Sequence, residues 1–402
     1  MMGIFKGLYI RLLSFLAAVL ALFNLTLPCT PPPAENNTGY VNVLVHGLMG
    51  WGSYDFYYNA MPYWGMLGGD AVQALRLRSY DCRCASVAPS GSAWDRACEL
   101  YAQLTGTRVD YGEAHSEKYG HERFGKDYTG KALLDGEWNT ENKINLIGHS
   151  FGGVTVRLLA QFMEYGDEAE RERTAQTELS GLFSGGNGGR IYSITTLSAP
   201  HNGTSAYESE QWADEDAQDI EARLRLMYNK IDPSGIMFDT IISMHSDKDG
   251  NILPDTAHYD MQIDNAAKLN ESLTALDDIY YFSYATCVTN TDENMNQLPE
   301  RNITEPLFYT RSIGIGKNRF VTPGGTVIDD KWLANDGLVN TYSALAPFNE
   351  PQTEYSAQSV SPGVWNIMPV TRGSHTYFMG NLLKTTDIVP FFSGLFDMIN
   401  GL

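Results

Sequence analysis

Residues 144–153, Ile-Asn-Leu-Ile-Gly-His-Ser-Phe-Gly-Gly, restrict the fold more than any other segment. An apolar run ends in a G-x-S-x-G pentapeptide, and the amphipathic run Val154 to Met163 follows at once. Strand, tight turn and helix in that order expose the Ser150 hydroxyl at the carboxyl end of a sheet, where a helix N-terminus favours developing negative charge. Gly148 and Gly152 are needed because side chains there would collide across the turn. The bland alternative is an ordinary glycine-rich turn, but the strand before it and the helix after it favour Ser150 as a nucleophile.

Val41 to Val45, Ile191 to Leu197 and Ile279 to Tyr284 are further short runs of this kind, alternating with helical patterns. They are continuous rather than alternating in polarity, as strands of a parallel sheet covered on both faces must be. The expected fold is a mostly parallel, doubly wound α/β sheet. At 402 residues the chain could hold two or three domains, but no Pro/Gly/Ser-rich linker divides it, so residues 35–402 are read as one domain. Two insertions stand out: residues 92–130, rich in Tyr, His and Gly, and residues 203–254, with 11 acids against 4 bases. The balance of 28 Lys and Arg against 48 Asp and Glu, net −20, argues against nucleic-acid binding, which needs clustered cations. With 23 Tyr, 17 Phe and 7 Trp the chain has ample material for a core, so disorder is excluded as well.

In the first 29 residues Lys6 and Arg11 are the only charges, and Leu12 to Leu27 is apolar apart from Ser14, Asn24 and Thr26. Such a stretch is short for a membrane span. With Pro31-Pro32-Pro33 behind it, it reads as a secretory signal and stiff linker over residues 1–34, so the mature protein is expected to be secreted. An uncleaved N-terminal anchor is the alternative. The five cysteines, Cys29, Cys82, Cys84, Cys98 and Cys287, are too few for a disulfide scaffold. Cys98 could pair with Cys82 or Cys84, or each could be a buried free thiol.

A second strand-to-loop passage, Val43-Leu-Val-His-Gly-Leu-Met-Gly50, is placed to supply one backbone N–H to an oxyanion, and the residue after the nucleophile supplies the other. Leu48 and Phe151 fit those places. His46 is expected to brace its loop by hydrogen bonding rather than to move protons. Of eight histidines only His375 lies in the last quarter of the chain, in the loop Arg372-Gly-Ser-His375, where a general base belongs in the order Ser, acid, His. Asp336, in Asn335-Asp-Gly337, is a tight-turn carboxylate beside an apolar segment and suits the role of orienting the imidazole, but Asp329 and Asp330 stay open on these grounds.

These residues, taken with Gly50-Trp-Gly52, Trp94-Asp-Arg-Ala-Cys-Glu99, Tyr101-Ala-Gln-Leu104, Val109-Asp-Tyr-Gly112, Arg123-Phe-Gly125, Ala199-Pro-His201, Trp332-Leu333 and Val364-Trp-Asn366, resemble the thermoalkalophilic, zinc-containing family of bacterial true lipases. The likeness spans most of residues 41–380 and implies an α/β-hydrolase fold with a zinc-binding insertion and a lid. It implies the triad Ser150, Asp336 and His375, and a structural Zn2+ held by Asp95, His115, His121 and Asp255. Spacing alone would have made this a modest expectation: His115 and His121, six apart, cannot share a helix face. His258, three residues past Asp255, is expected to be an exposed lure.

Two features depart from the family. Tyr377 stands at the place of a calcium-binding Glu and Leu382 near that of an Asp, which puts the family's Ca2+ in doubt. The acidic segment 203–254 is short for a lipase lid. The expected protein is therefore a secreted, monomeric serine ester hydrolase acting on acylglycerols or related esters, at a lipid or polymer surface, with no nucleic-acid partner. A broad esterase or polyester hydrolase with a shortened lid is the alternative. A zinc-activated hydrolase and a non-catalytic surface-binding protein are the rivals from other classes.

Overall fold

The computed structural model describes residues 39–55, 58, 59, 61–207, 253–382 and 384–402. The leader and linker 1–34, Cys29 and nearly all of the acidic 203–254 segment lie outside the described residues.

Seven strands form one sheet: β1 (Val41–Val45), β2 (Cys82–Ala85), β3 (Ile144–His149), β4 (Ile191–Leu197), β5 (Tyr280–Tyr284), β6 (Gln352–Glu354) and β7 (Trp365–Ile367). Their order is β6-β7-β5-β4-β3-β1-β2, and every neighbouring pair is parallel. The three runs expected as strands beside the Ser150 segment are β1, β4 and β5, the last beginning one residue later than expected. The three-residue strands β6 and β7 carry too few residues for any periodicity to show in sequence.

Alternate residues of each strand enter two different cores. Val43, Val45, Leu146, Ile194 and Tyr281 face one side, where Ala97, Leu100 and Leu104 of helix α2 (Ala93–Thr105) pack with Val156, Leu159 and Met163 of α4 (Phe151–Tyr165). Leu44, Ile147 and Phe282 face the other, against Leu75 of α1 (Ala71–Arg76) and against the C-terminal helix α5 (Val389–Asn400). Phe392, Phe396 and Ile399 follow helical spacing along α5 and are fully buried. Removing each such side chain from water contributes about 1.5–3 kcal/mol. A sheet covered on both faces by helices is the expected doubly wound arrangement, and it is an α/β-hydrolase-like fold.

The sheet also separates the cysteines. Cys82 and Cys84 point into the α1 and α5 side, and Cys98 points from α2 into the other core. Cys82, Cys84, Cys98 and Cys287 are all free thiols, so the pairing of Cys98 with Cys82 or Cys84 does not form. Burial pushes the thiols of Cys82, Cys84 and Cys98 up, which keeps them protonated and unreactive.

Between α2 and β3 the chain adds an antiparallel hairpin, Arg108–Asp110 with Phe124–Asp127, around helix α3 (Glu113–Tyr119). Helix α2 itself, the first part of the 92–130 stretch, is a core helix. No helix among the described residues is long and apolar enough to cross a membrane.

Candidate active site

The strand order reverses at β1 and β3: from this pair the chain builds outward to β2 on one side and to β4 and β5 on the other. Loops leaving the carboxyl ends of two strands at such a point diverge and open a crevice. The His46 to Gly50 loop follows β1 there and Ser150 follows β3.

Ser150 has φ 54 and ψ −129, a left-handed conformation that a serine adopts only where its surroundings enforce it. Neighbouring backbone provides that enforcement. A Cβ on Gly148 would lie 2.5 Å from the backbone of Gly152 and Gly153, and one on Gly152 would lie 2.4 Å from the Val45 carbonyl oxygen. Gly47 comes equally close, since a Cβ there would lie 2.6 Å from that of Ser150.

His375 Nε2 is 2.8 Å from Ser150 Oγ, and His375 Nδ1–H donates to Asp336 Oδ2 at 2.9 Å. The three side chains are buried, with Ser150 6% and His375 5% exposed. Asp336 Oδ2 also accepts from Thr286 Oγ1 at 2.8 Å, and Oδ1 accepts from the N–H groups of Leu338 and Val339. Burial pushes the Asp336 carboxyl up, but His375 and these donors outweigh it and hold it below the ordinary carboxylate range. The turn that presents Asp336 depends on Gly337, whose φ is 108. Asp329 instead caps a short helix through Lys331 N, and Asp330 pairs with Arg319. Neither reaches His375.

The backbone N–H groups of Leu48 and Phe151 find no acceptor among the described residues, although each neighbour in the loop is bonded: Met49 N to Pro89 O and Gly50 N to Gly47 O. Phe151 follows Ser150 directly, as the first residue of α4. His46 is fully buried, donates from Nδ1 to Gly47 O at 2.9 Å and accepts at Nε2 from Val87 N at 3.2 Å. Burial first, with the nearby Arg96, lowers its pKa to about 3, so it stays neutral.

Sequence reasoning did not single out Arg96. Its guanidinium is fully buried and donates to the carbonyls of His46 and Ala88 and to Thr155 Oγ1, so α2 holds both the loop after β1 and the helix that follows Ser150. Glu305 was missed as well: its buried carboxylate accepts from Thr376 Oγ1 and Leu382 N, closing the loop that follows His375. Tyr377 and Leu382 lie on that loop and offer no carboxylate for a cation. No local pattern marks either residue, because each acts on partners distant in sequence.

Asp95, His115, His121 and Asp255 converge, with one potential ligand atom from each within 4.8 Å of the others. Asp95 Oδ1, His115 Nε2, His121 Nε2 and Asp255 Oδ1 are buried and face only one another, with His115 Nε2 3.4 Å from Asp95 Oδ1 and 3.1 Å from Asp255 Oδ1, and His121 Nε2 3.3 Å from Asp255 Oδ2, so carboxylate and imidazole lone pairs point at a common centre that suits an ion. His115 lies on α3 and is clamped by Trp94, whose ring stacks on it at 4.5 Å. His121 sits beyond the helix end, and its Nδ1–H donates to Glu122 O, which leaves Nε2 as the lone-pair donor a metal requires. Two carboxylates and two imidazoles form a borderline donor set that fits Zn2+. His258 is half-buried against the Tyr207 ring rather than exposed, and lies outside this group.

Comparisons with known proteins show the family. The family described as "Lipase-like, C-terminal domain" matches residues 37–236 and 242–399. Lipase 2 of Staphylococcus aureus is 33% identical over 382 residues, covering 89% of this chain and 53% of the relative, so the chain spans about half the length of the curated relatives it matches. The lipase of Staphylococcus hyicus is 31% identical over 385 residues and is covered to 56%. Among solved structures, EstA from Clostridium botulinum superposes with a TM-score of 0.78 at 30% identity, covering 93% of this chain and 90% of that one. Lipase 1 from Pelosinus fermentans gives 0.71 at 33% identity, with 90% and 99% covered.

Proposed function

Because this chain belongs to the bacterial lipase family described as "Lipase-like, C-terminal domain", we propose that it hydrolyses carboxylic esters of lipids by serine acyl transfer. The observation that carries the reading is the continuous hydrogen-bonded line from Ser150 Oγ through the His375 ring to Asp336. Ser150 attacks the ester carbonyl while His375 Nε2 takes its proton. Asp336 keeps the imidazole in the Nδ1–H tautomer and stabilises the imidazolium, without taking the proton itself. The N–H groups of Leu48 and Phe151 receive the oxyanion, each contributing about 10²- to 10³-fold in rate. The alcohol leaves with the proton from His375, and water, deprotonated by the same ring, releases the acid.

The four convergent side chains Asp95, His115, His121 and Asp255 would hold Zn2+, which supplies a cross-link between α2, the α3 turn and the segment at Asp255. With four protein ligands a bound ion would have no place for an activated water, which favours a structural role over a zinc-activated hydrolase. The substrate is a lipid or related ester met at a surface. Secretion, implied by the leader, belongs to the same proposal.

Ser150→Ala tests it. Turnover of p-nitrophenyl esters should disappear while the thermal transition is retained, and hydrolysis that persists in the folded variant would refute the serine mechanism.

A further inference from the structure

The residue preceding the nucleophile, His149, is buried, and its ring packs 5.0 Å from that of His375. Its Nδ1 is 2.6 Å from the Tyr63 hydroxyl and its Nε2 is 2.8 Å from the backbone oxygen of His375. The Tyr63 oxygen is in turn 3.1 Å from the N–H of Gly47, in the oxyanion loop. Tyr63 and His149 are 4% and 1% exposed, so no water competes for these contacts. The chain thus runs from one side of Ser150 to the other through two buried side chains.

Its direction admits one solution. Gly47 N–H can only donate, so the Tyr63 oxygen accepts and its single proton goes to His149 Nδ1. A carbonyl can only accept, so His149 must carry its proton on Nε2 and donate to His375. The reversed tautomer would set the Nε2 lone pair against the His375 carbonyl oxygen and leave the Tyr63 hydroxyl hydrogen without an acceptor, which costs the desolvation of those groups. Burial, and after it the nearby His375, lowers the His149 pKa to about 3, so the neutral ring that the chain needs is the one present. A further tie completes the arrangement: the His375 N–H donates to the Asp336 backbone oxygen at 2.9 Å.

We infer that Tyr63 and His149 are positioning residues that hold the oxyanion loop and the His375 loop in register across Ser150. The inference rests on the reading of Ser150, His375 and Leu48 given above. Neither side chain touches substrate. Their effect is to fix where the Leu48 N–H and the His375 ring stand relative to one another when charge develops on the substrate. A misplacement of that kind acts on the transition state and leaves ester binding almost unaltered.

The experiment compares wild type with Tyr63→Phe, which removes one oxygen and no packing volume, and with His149→Gln as a second variant, thermal transitions being recorded for each. Expected for Tyr63→Phe is a loss in kcat of about 10- to 100-fold with KM within about twofold, and a parallel weakening of phenylboronic acid, whose tetrahedral adduct on Ser150 uses the same donors. A purely structural role would lower the folded fraction without moving boronate affinity of the folded protein. Nitrogen-15 NMR of histidine-labelled wild type should show His149 neutral and protonated on Nε2 down to about pH 5. Unchanged kcat and boronate affinity in Tyr63→Phe overturns the inference, and so does an Nδ1–H tautomer at His149. Wild type that turns over no ester sinks the hydrolase reading instead, and the NMR result then decides the hydrogen-bond chain by itself.

Discussion

At the scale of single residues, Ser150, His375 and Asp336 would divide the task of the proposed acyl transfer by what surrounds each. Ser150 is held in a left-handed backbone, His375 is reached by a carboxylate on one nitrogen and a hydroxyl on the other, and Asp336 accepts four hydrogen bonds that keep it ionised. Asp336→Asn keeps the shape but offers an N–H or a weaker acceptor to His375 Nδ1, so the imidazole turns to the tautomer that cannot accept from Ser150. The expected loss in kcat is about 10⁴-fold with KM little changed. Steady-state kinetics on a soluble ester measure it, and a loss below tenfold would show that Asp336 does not orient the base. Of these residues Ser150 was legible from its pentapeptide, and His375 from its position in the chain. Asp336 was only one of three candidates by local pattern, because a catalytic carboxylate and a turn-forming one look alike until a partner is in place.

At the scale of elements, helix α2 links two functions that sequence treats separately. Ser92 caps it, with the side chain accepting from Asp95 N at 3.2 Å, and two successive positions in its first turn divide: Asp95 turns to the cluster with His115, His121 and Asp255, and Arg96 inward to the loop after β1 and to Thr155. Successive residues on a helix point about 100° apart, so one turn serves both sites. Removing the proposed Zn2+ with a chelator, or replacing Asp95 with Asn, would leave the buried carboxylates and imidazoles beside this turn without an ion to hold them together. The thermal transition should fall by roughly 5–10 °C, recovered by added Zn2+ in wild type but not in the variant. Calorimetry together with metal content reads this; a transition indifferent to chelation of a zinc-loaded sample would contradict a structural ion.

At the scale of the whole molecule, the buried titratable groups set how stability follows pH. His46 and His149 stay neutral to about pH 3 when folded, and burial holds His201 well below its ordinary value too. The unfolded chain protonates all three near pH 6.5, so it binds more protons across the window below and stability falls as pH falls. Glu99 and Asp260, pushed up to about 7 by burial, oppose this: the folded chain holds their protons between the ordinary carboxylate range and about 7. Asp70, Asp95 and His115 are held up as well, though less far, so the three histidines leave a net loss from about pH 6.5 downward, to which Asp255 and Asp336, held low, add once the ordinary carboxylate range is reached. The urea midpoint of chelator-treated protein should therefore fall from pH 7 to pH 4, and a midpoint that rises across that interval would show the carboxyls to dominate.

Sequence by itself determined the parallel sheet, the Ser150 turn and the residue types of the site, because each depends on local sterics and on polarity along a short stretch. The glycines around Ser150 and the continuous apolar strands are readable within about ten residues, and the single late histidine from the order of residues along the chain. Tertiary structure alone decided which aspartate faces His375 and that the sheet stands between Cys98 and the thiols of β2. It also decided that Arg96, Glu305, Tyr63 and His149 brace the loops. Those roles consist of hydrogen bonds between groups far apart in the chain, and such partners acquire meaning only when burial removes the water that would otherwise satisfy them.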